Sequence, residues 1–181
     1  MRRKGKIVNT SARGFTLMEM VAVLFVLGLI AGLSLPNIYS AIQNFRLNSA
    51  ARKMTADIRY AREMALSRHG TYGITVSADT NTYSIFSLSG STKTVLTDSW
   101  RQLPLSVTLD GTSGYAGVTM GTVDLCESGG CPLVDLRFDS FGTPSDSSGT
   151  AMASNATIQL QSGGVTKTVT IQPETGFCEI T

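Results

Sequence analysis

The longest hydrophobic run of the chain extends over residues 15–35 and contains a single charged residue, Glu19. As a helix, these 21 residues would be about 31 Å long, roughly the hydrocarbon thickness of a bilayer. The pattern therefore predicts a transmembrane helix over 15–35. A carboxylate inside such a helix costs about 2.5–3.5 kcal/mol on insertion scales, which indicates that an amino group neutralises Glu19.

The hydrophobic pattern becomes amphipathic over residues 36–69. Apolar residues recur at helical spacing, while most of the basic residues fall off that stripe, so we expect the helix to continue and to cover a sheet. The predicted stripe consists of Ile38, Ile42, Phe45, Met54, Ile58, Ala61 and Ala65. Pro36 removes a backbone donor near the junction, which predicts a kink or local break there. We interpret the basic residues as a solvated face, with contact to lipid headgroups as the alternative.

From residue 70 onward, short runs of β-forming residues alternate with turn residues, which predicts a β domain over 70–181. The turns 79–81 and 162–164 are typical hairpin connections. The Ser-, Gly- and Thr-rich stretch 139–155 is predicted to be a mobile loop. Strands are predicted near 72–77, 82–88, 105–109, 117–120, 133–138, 156–161, 165–172 and 177–180. The expected fold class is α+β, with the long helix packed on an antiparallel β domain.

The charge is concentrated in residues 1–14, which carry five basic residues and no acid. Such a segment holds its end of a membrane helix in the cytoplasm. Removing it leaves ten basic and thirteen acidic residues, a net charge of about −3. A mildly acidic domain argues against a nucleic-acid-binding surface.

The junction between Gly14 and Phe15 is the candidate processing site. A secretory signal has its small-residue cleavage site after a shorter apolar core, whereas Gly14 precedes the apolar run. Cleavage there would remove the basic leader 1–14 and leave the apolar helix on the product. The new amino group at Phe15 would lie one helical turn from Glu19, or would reach Glu19 of a neighbouring subunit.

Together Gly14, Phe15, Thr16, Leu17 and Glu19, with Pro36 after the apolar run, resemble the N-terminal signal of type IV pilins and type II secretion pseudopilins. The resemblance implies that a prepilin peptidase cuts after the glycine and methylates the new N-terminal phenylalanine. It also implies that the glutamate aligns incoming subunits. The alternative is a single-pass anchor with an incidental Glu19, which explains neither the Gly-Phe junction nor the position of the acid.

A second set of residues narrows the resemblance to the GspH/FimT type of minor pseudopilin. An F-x-x-x-G segment, here Phe138 to Gly142, precedes a closing hairpin with a T-G turn, here Thr175 and Gly176. We expect structural roles for both glycines. The resemblance implies a pilin-like fold and a structural subunit of a type II secretion pseudopilus.

The resemblance also implies partners and a location. The partners would be other pseudopilins or pilins, prepilin peptidase, the inner-membrane assembly platform and, before assembly, membrane lipid. The protein would cross the bacterial inner membrane once, with its C-terminal domain in the periplasm. The alternative is a type IV pilus minor pilin in pilus assembly or DNA uptake, with an abundant major pilin as a weaker third possibility. No Lys or Arg follows Lys167, which weakens the DNA-binding alternative.

Cys126 and Cys131 flank Glu-Ser-Gly-Gly, a short turn that can bring two cysteines within disulfide distance. We favour this bridge in a periplasmic domain, although pairing of Cys178 with either cysteine stays open. A zinc half-site is the disfavoured alternative because no second pair of ligands accompanies it.

Nothing in the sequence indicates an enzyme or a cofactor. The single histidine, His69, is not part of any recognisable nucleophile motif, and phosphate-loop and dinucleotide fingerprints are absent from the sequence. Asp135 with Asp139, or Asp139 with Asp146, are weak candidates for calcium ligands, since their spacing matches no EF-hand. We expect these acids to be solvated and no metal to be bound.

Overall fold

The structure is a computed structural model that describes residues 14–125 and 134–181, with side chains for 14–32, 38–125 and 135–181. A single long helix, α1 (Leu17–Arg68), precedes all the described strands. The chain divides after Tyr39 into two units. The N-terminal unit is helical from Leu17 onward, and the C-terminal unit contains the rest of α1 and every described strand.

Within the described residues of the C-terminal unit, ten strands form two antiparallel sheets. The first sheet has the order β3-β2-β1-β6-β7, with β4 also pairing with β2, and the second has the order β10-β9-β8-β5. The strands are β1 (Thr71–Ser77), β2 (Thr82–Ser89), β3 (Thr92–Val95), β4 (Ser106–Thr108), β5 (Thr119–Asp124), β6 (Val134–Phe138), β7 (Pro144–Ser145), β8 (Ala156–Ser162), β9 (Val165–Ile171) and β10 (Cys178–Ile180).

Tight turns set the register of the two main hairpins. Asn81, with φ of +51°, lies in the turn between β1 and β2, where Ser77 pairs with Thr82. Gly163 and Gly164 connect β8 to β9 with φ of +57° and +83°, the backbone that a two-residue hairpin turn requires. Both hairpins lie where the sequence predicts them.

The buried face of α1 differs from the predicted stripe at its N-terminal end. Met54, Ile58, Ala61 and Ala65 are buried as expected, whereas Ile38, Ile42 and Phe45 are exposed. Burial begins instead at Leu47 and continues through Ala50 and Ala51. Phe45 and Leu47 are about 200° apart around a helix, so they cannot share a face. The predicted stripe therefore joined two different faces of α1.

Three arginines of α1 donate hydrogen bonds to backbone carbonyls of the β domain. Arg46 bonds to the carbonyl of Ala116 at 3.2 Å, and Arg59 bonds to that of Cys178 at 2.9 Å. Arg62 bonds through Nε to the carbonyl of Gly142 at 3.2 Å. The interpretation of the basic residues as a solvated face is wrong for these three, because each guanidinium donates a hydrogen bond to a backbone carbonyl of the β domain.

The stretch 139–155 carries more structure than the predicted loop. It contains β7, which pairs with β6, and an isolated bridge between Ser145 and Ala151. Met152 is buried within it. Strand β3 was also missed, because all four of its residues are exposed and show no alternation that a periodicity argument could use.

Helix α1 ends at Arg68 with a left-handed residue. His69 has φ of +49°, and the N–H of Gly70 bonds to the carbonyl of Ala65 at 3.3 Å, a C-terminal cap that satisfies a late helix acceptor. His69 is thus the cap residue between α1 and β1, a structural position.

Candidate assembly site

The predicted processing junction lies at the start of the described chain, just before α1. A Cβ added to Gly14 would have no atom within 4 Å, so local packing does not require glycine there. Phe15 follows with 75% of its surface exposed. The Gly-Phe junction is therefore exposed, and packing among the described residues requires neither glycine at 14 nor phenylalanine at 15.

Thr16 caps the N-terminus of α1. Its hydroxyl accepts the backbone N–H of Glu19 at 3.2 Å, and its carbonyl accepts the N–H of Glu19 at 3.1 Å and that of Met20 at 3.2 Å. Thr-x-x-Glu is the spacing of a capping box, and an acid in the first turn also interacts favourably with the helix dipole. This local role was not predicted from the sequence, although the spacing of Thr16 and Glu19 is itself a signal for it.

The apolar side chains that follow Thr16 are solvent-exposed in the isolated chain. Glu19 is exposed with them, in the first turn of α1. Among the residues whose side chains the structure describes, no helix combines the length and apolar character needed to cross a membrane. The large exposed apolar residues are Phe15, Leu17, Met18, Met20, Val21, Val23, Leu24, Phe25, Val26, Leu27, Leu29 and Ile30.

Gly28 and Gly32 lie one helical turn apart within this apolar segment. A Cβ added to either would have no atom within 4 Å. Glycine inside a helix costs about 1 kcal/mol relative to alanine, and no close packing among the described residues offsets that cost here. Small residues four apart allow close approach of another helix.

Helix α1 continues through Pro36 without interruption of its secondary structure. The predicted local break is therefore wrong, whereas a kink at Pro36, the other form of the prediction, stays a prediction. The side chain of Pro36 lies outside the described side chains.

Three of the four signature residues of the C-terminal half, Phe138, Gly142 and Gly176, meet around Arg62 of α1. A Cβ on Gly176 would lie 2.9 Å from Cε1 of Phe138 and 3.1 Å from Cδ of Arg62. A Cβ on Gly142 would lie 3.2 Å from Nε of Arg62. Both glycines also have positive φ, +77° and +63° for Gly142 and Gly176. Their structural roles have the same cause, which is close approach to one arginine.

Thr175 shapes the turn that brings Gly176 against Arg62. Its hydroxyl donates to Oε1 of Gln172 at 3.2 Å and accepts the N–H of Phe177 at 3.2 Å. The N–H of Gly176 bonds to the carbonyl of Gln172 at 3.0 Å, which closes the turn before β10. The Arg62 cluster, formed by Arg62, Phe138, Gly142 and Gly176, therefore joins the helix to both sheets.

Two further contacts attach α1 to the β domain. The guanidinium of Arg59 lies 5.6 Å from the ring centroid of Phe177, in addition to its bond to Cys178. Asp57 is buried and accepts hydrogen bonds from the hydroxyl of Tyr83 at 2.8 Å and from Nζ of Lys53 at 2.5 Å. Burial, and then the Asp57 carboxylate, raise the pKa of Tyr83 far above its ordinary value.

The profile of the family described as "Type II transport protein GspH" matches residues 50–176, which include the Arg62 cluster. The chain belongs to the GspH family. None of the curated proteins searched is a significant match.

Solved structures agree with GspH membership at the level of the fold. The minor pseudopilin EpsH from the type 2 secretion system of Vibrio cholerae is 16% identical with a TM-score of 0.54, and the match covers 75% of this chain and 96% of that one. The type IV minor pilin FimU of Pseudomonas aeruginosa is 20% identical with a TM-score of 0.52, and the match covers 76% and 90%. The predicted pilin-like α+β fold is confirmed.

GspH membership confirms the predicted function, a minor pseudopilin of type II secretion. GspH proteins are structural subunits, and their relationship to pilins implies assembly with other pilin-like subunits in a pseudopilus at the cell envelope. FimU matches the predicted type IV pilus alternative only as a related pilin.

Cys126 and Cys131 lie outside the described residues, so their disulfide remains a prediction. Cys178 is a buried free thiol, and burial raises its pKa to about 11, against opposing contributions from Arg59 and Arg62. Among the described residues, Cys178 is thus a cysteine of the hydrophobic core.

The three acids considered for calcium are engaged in protein contacts. Asp135 pairs with Lys93 at 2.6 Å and also accepts a hydrogen bond from Thr75. Asp139 accepts N–H groups within its own turn. The hydroxyl of Ser148 and neighbouring N–H groups lower the pKa of Asp146. Across residues 14–125 and 134–181, His, Cys, Asp and Glu side chains form no group of three suited to a metal.

Proposed function

We propose that the chain is cut between Gly14 and Phe15 and enters a pseudopilus through the first part of α1, with Glu19 paired to an N-terminal amino group. The exposed Gly-Phe junction supports this proposal, because neither the backbone of Gly14 nor its packing against the described residues requires glycine. A peptidase that requires glycine supplies the missing reason. Prepilin peptidase is the proposed enzyme, and methylation of Phe15 the proposed second step.

The exposed apolar surface from Phe15 to Ile30 is the observation that carries the proposal. An isolated chain cannot keep so many adjacent apolar side chains in water, so they must contact lipid or other helices. We propose that, before assembly, residues 15–35 lie in the inner membrane, with the leader in the cytoplasm and the β domain in the periplasm. During assembly, lipid contacts are replaced by helix contacts, so packing rather than water exclusion drives the step.

Gly28 and Gly32 support close helix packing in the assembled state. A Cβ added to either would meet no atom of the described residues within 4 Å, and together they form a G-x-x-x-G spacing in an apolar segment. Thr16 and Glu19 support a defined helix start, because the Thr16 cap fixes the first turn on which Glu19 lies. The proposed partners are therefore other pilin-like helices, delivered by the inner-membrane assembly platform.

Nucleic acid is not among the proposed partners, because no Lys or Arg follows Lys167 and Arg46, Arg59 and Arg62 are used in contacts with the β domain. Phosphate binding requires basic side chains that are free to neutralise the backbone.

Mass spectrometry of the protein from its producing cell tests the processing step. We expect a mature chain that begins at Phe15 and carries one methyl group on its amino terminus. An intact Met1, or a start at another residue, would contradict the proposal.

Incorporation of Glu19→Ala into sheared pseudopili tests the pairing step. The substitution leaves the N-terminal amino group that pairs with Glu19 buried without its partner, which costs about 3–5 kcal/mol. We therefore expect incorporation to fall about a hundredfold or more. Glu63→Ala removes an exposed carboxylate from the same helix and is the matched control, with unchanged incorporation expected. Equal incorporation of Glu19→Ala and wild type would show that Glu19 does not pair.

A further inference from the structure

The only tryptophan of the chain, Trp100, is 95% exposed at the tip of the connection between β3 and β4. Its neighbour Arg101 is exposed, and Leu103 is also largely exposed. We call residues 97–104 the Trp100 tip. A large aromatic side chain held in water is costly to the free domain, which indicates that the Trp100 tip is used for contact.

Hydrogen bonds hold the Trp100 tip in one conformation. The Asp98 carboxylate accepts the N–H of Trp100 at 2.9 Å, and the backbone of Asp98 bonds to Leu103 and Gln102 at 2.8 Å each. Gln102 has φ of +54°, a conformation that costs a non-glycine residue energy. The base of the tip is closed by a bridge between Thr97 and Pro104. A preordered tip loses little entropy on binding.

A recess of about 380 Å³ lies beside the indole. Its lining residues include two acids, Asp57 and Asp98, and the aromatic residue Tyr60. Asp98 accepts the N–H of Trp100 and keeps further capacity, since a carboxylate offers about four acceptor positions, whereas Asp57 is already paired with Lys53 and Tyr83. Acidic oxygens next to two aromatic rings suit a Lys or Arg side chain of a partner.

We propose that the Trp100 tip docks onto the globular domain of another pilin-like subunit. The indole enters an apolar slot of that subunit, Arg101 pairs with one of its carboxylates, and one of its basic side chains enters the recess beside Trp100. Trp and Arg are the residue types that most often dominate protein interfaces. The inference rests on the proposed function, since it needs a pseudopilus in which neighbouring β domains meet.

The charges of the Trp100 tip favour a protein over a lipid surface. Residues 97–104 contain one acid, Asp98, and one base, Arg101, so the tip has no net charge. Attraction to anionic lipid takes clusters of several basic residues. The Asp98 carboxylate at the recess would also repel an anionic headgroup.

Photo-crosslinking of the full-length chain in its producing cell tests the inference. A benzophenone amino acid is placed at Trp100, at Phe141 and at Phe25 in separate variants. Phe141 is the matched control, because it is an exposed aromatic on another turn, 82% exposed. Phe25, in the apolar part of α1, reports helix packing and therefore tests the proposed function independently.

We expect crosslinks from positions 100 and 25 to chains that carry the Gly-Phe-Thr N-terminal signature, identified by mass spectrometry, with little product at 141. Crosslinks at 25 alone, lipid adducts at 100, or crosslinks at 100 to unrelated proteins would overturn the inference and leave the proposed function intact. Loss of pilin crosslinks at both 25 and 100 would overturn both.

Affinity measurements with the crosslinked subunit provide the second readout. Trp100→Ala should weaken its binding about thirtyfold, whereas Phe141→Ala should leave it unchanged. Trp100 is the only tryptophan of this chain, so its fluorescence can be followed in a complex with a tryptophan-free version of that subunit. If binding buries Trp100, iodide should quench this fluorescence less in the complex than in the free protein. Unchanged affinity or unchanged quenching would overturn the inference.

Discussion

The hydroxyl of Tyr83 on β2 donates a 2.8 Å hydrogen bond to Oδ2 of Asp57 on α1, and both residues are buried. This bond joins the helix to the first sheet, and Lys53 balances the charge of the carboxylate from the same helix. The pair therefore stabilises the β domain against separation from α1.

Tyr83→Phe should destabilise the domain by about 1–3 kcal/mol, because a buried carboxylate loses a hydrogen bond and gains no replacement. Urea unfolding of the full-length protein in detergent, followed by circular dichroism of the β domain, measures the change. Tyr60→Phe removes a hydroxyl from a partly exposed tyrosine of the same helix and should change stability little. Equal effects of the two variants would mean that the Tyr83 bond contributes nothing specific.

Stability should fall as the pH rises through the alkaline range. The folded protein raises the pKa of Cys178 from 9.0 to about 11 and raises that of Tyr83 above its ordinary 10.0. Both side chains thus release protons more readily in the unfolded protein than in the folded protein. Their contribution to the free energy of unfolding is therefore complete below pH 9.0 and is lost as the pH rises towards the pKa values of the folded protein. Unfolding free energies measured between pH 8 and pH 11 give the slope.

Cys178→Ala isolates the thiol contribution to that slope. We expect the variant to lose the part of the pH dependence that begins near pH 9.0 and to keep the part due to Tyr83. The difference between wild type and variant, rather than the absolute stability, is the decisive quantity. Identical slopes would show that burial does not perturb the thiol.

Gly176→Ala should destabilise the domain by about 2–4 kcal/mol, since it combines a left-handed backbone with a Cβ 2.9 Å from the Phe138 ring. Gly149→Ala is the matched control. Gly149 also has positive φ, +85°, but open space around a new Cβ, so only the backbone cost of about 1–2 kcal/mol applies. Chemical denaturation compares the two, and equal losses would exclude a packing role for Gly176.

Thr16→Val should loosen the first turn of α1 by about 1 kcal/mol, while Thr16→Ser should preserve it. The reason is that valine lacks the hydroxyl that accepts the Glu19 N–H. Amide hydrogen exchange of the protein in detergent micelles should show about fivefold faster exchange at Glu19 in Thr16→Val. Unchanged exchange in Thr16→Val would mean that the Thr16 hydroxyl does not protect the Glu19 N–H and that its bond to the Thr16 carbonyl is sufficient.

The sequence predicted those parts of the fold that depend on local pattern. The hairpin at Gly163 and Gly164 follows from backbone requirements that two adjacent glycines satisfy. The C-terminal end of α1 follows from the buried stripe that reaches Ala65. The family signature identified Gly142 and Gly176 before any contact was known.

The remaining features depend on contacts between distant residues, which pattern alone does not specify. Arg59 and Arg62 were interpreted as solvated because helical periodicity places them off the apolar stripe. Their acceptors, Cys178 and Gly142, lie 119 and 80 residues further along the chain. The exposed strand β3 forms because β2 offers it a pairing edge, not because its residues alternate.

Strand β10 is at one end of its sheet, and the bond from Arg59 covers part of that open edge. The carbonyl of Phe177 accepts the N–H of Gln172, directly after β9, and Thr181 bonds to Thr168 of β9. The alternating pattern therefore turns the carbonyl of Cys178 outward, where it accepts a hydrogen bond from the guanidinium of Arg59. Outward carbonyls on an edge strand are templates for unwanted strand pairing between chains. Arg59 therefore occupies one acceptor that a strand of another chain could otherwise use for pairing.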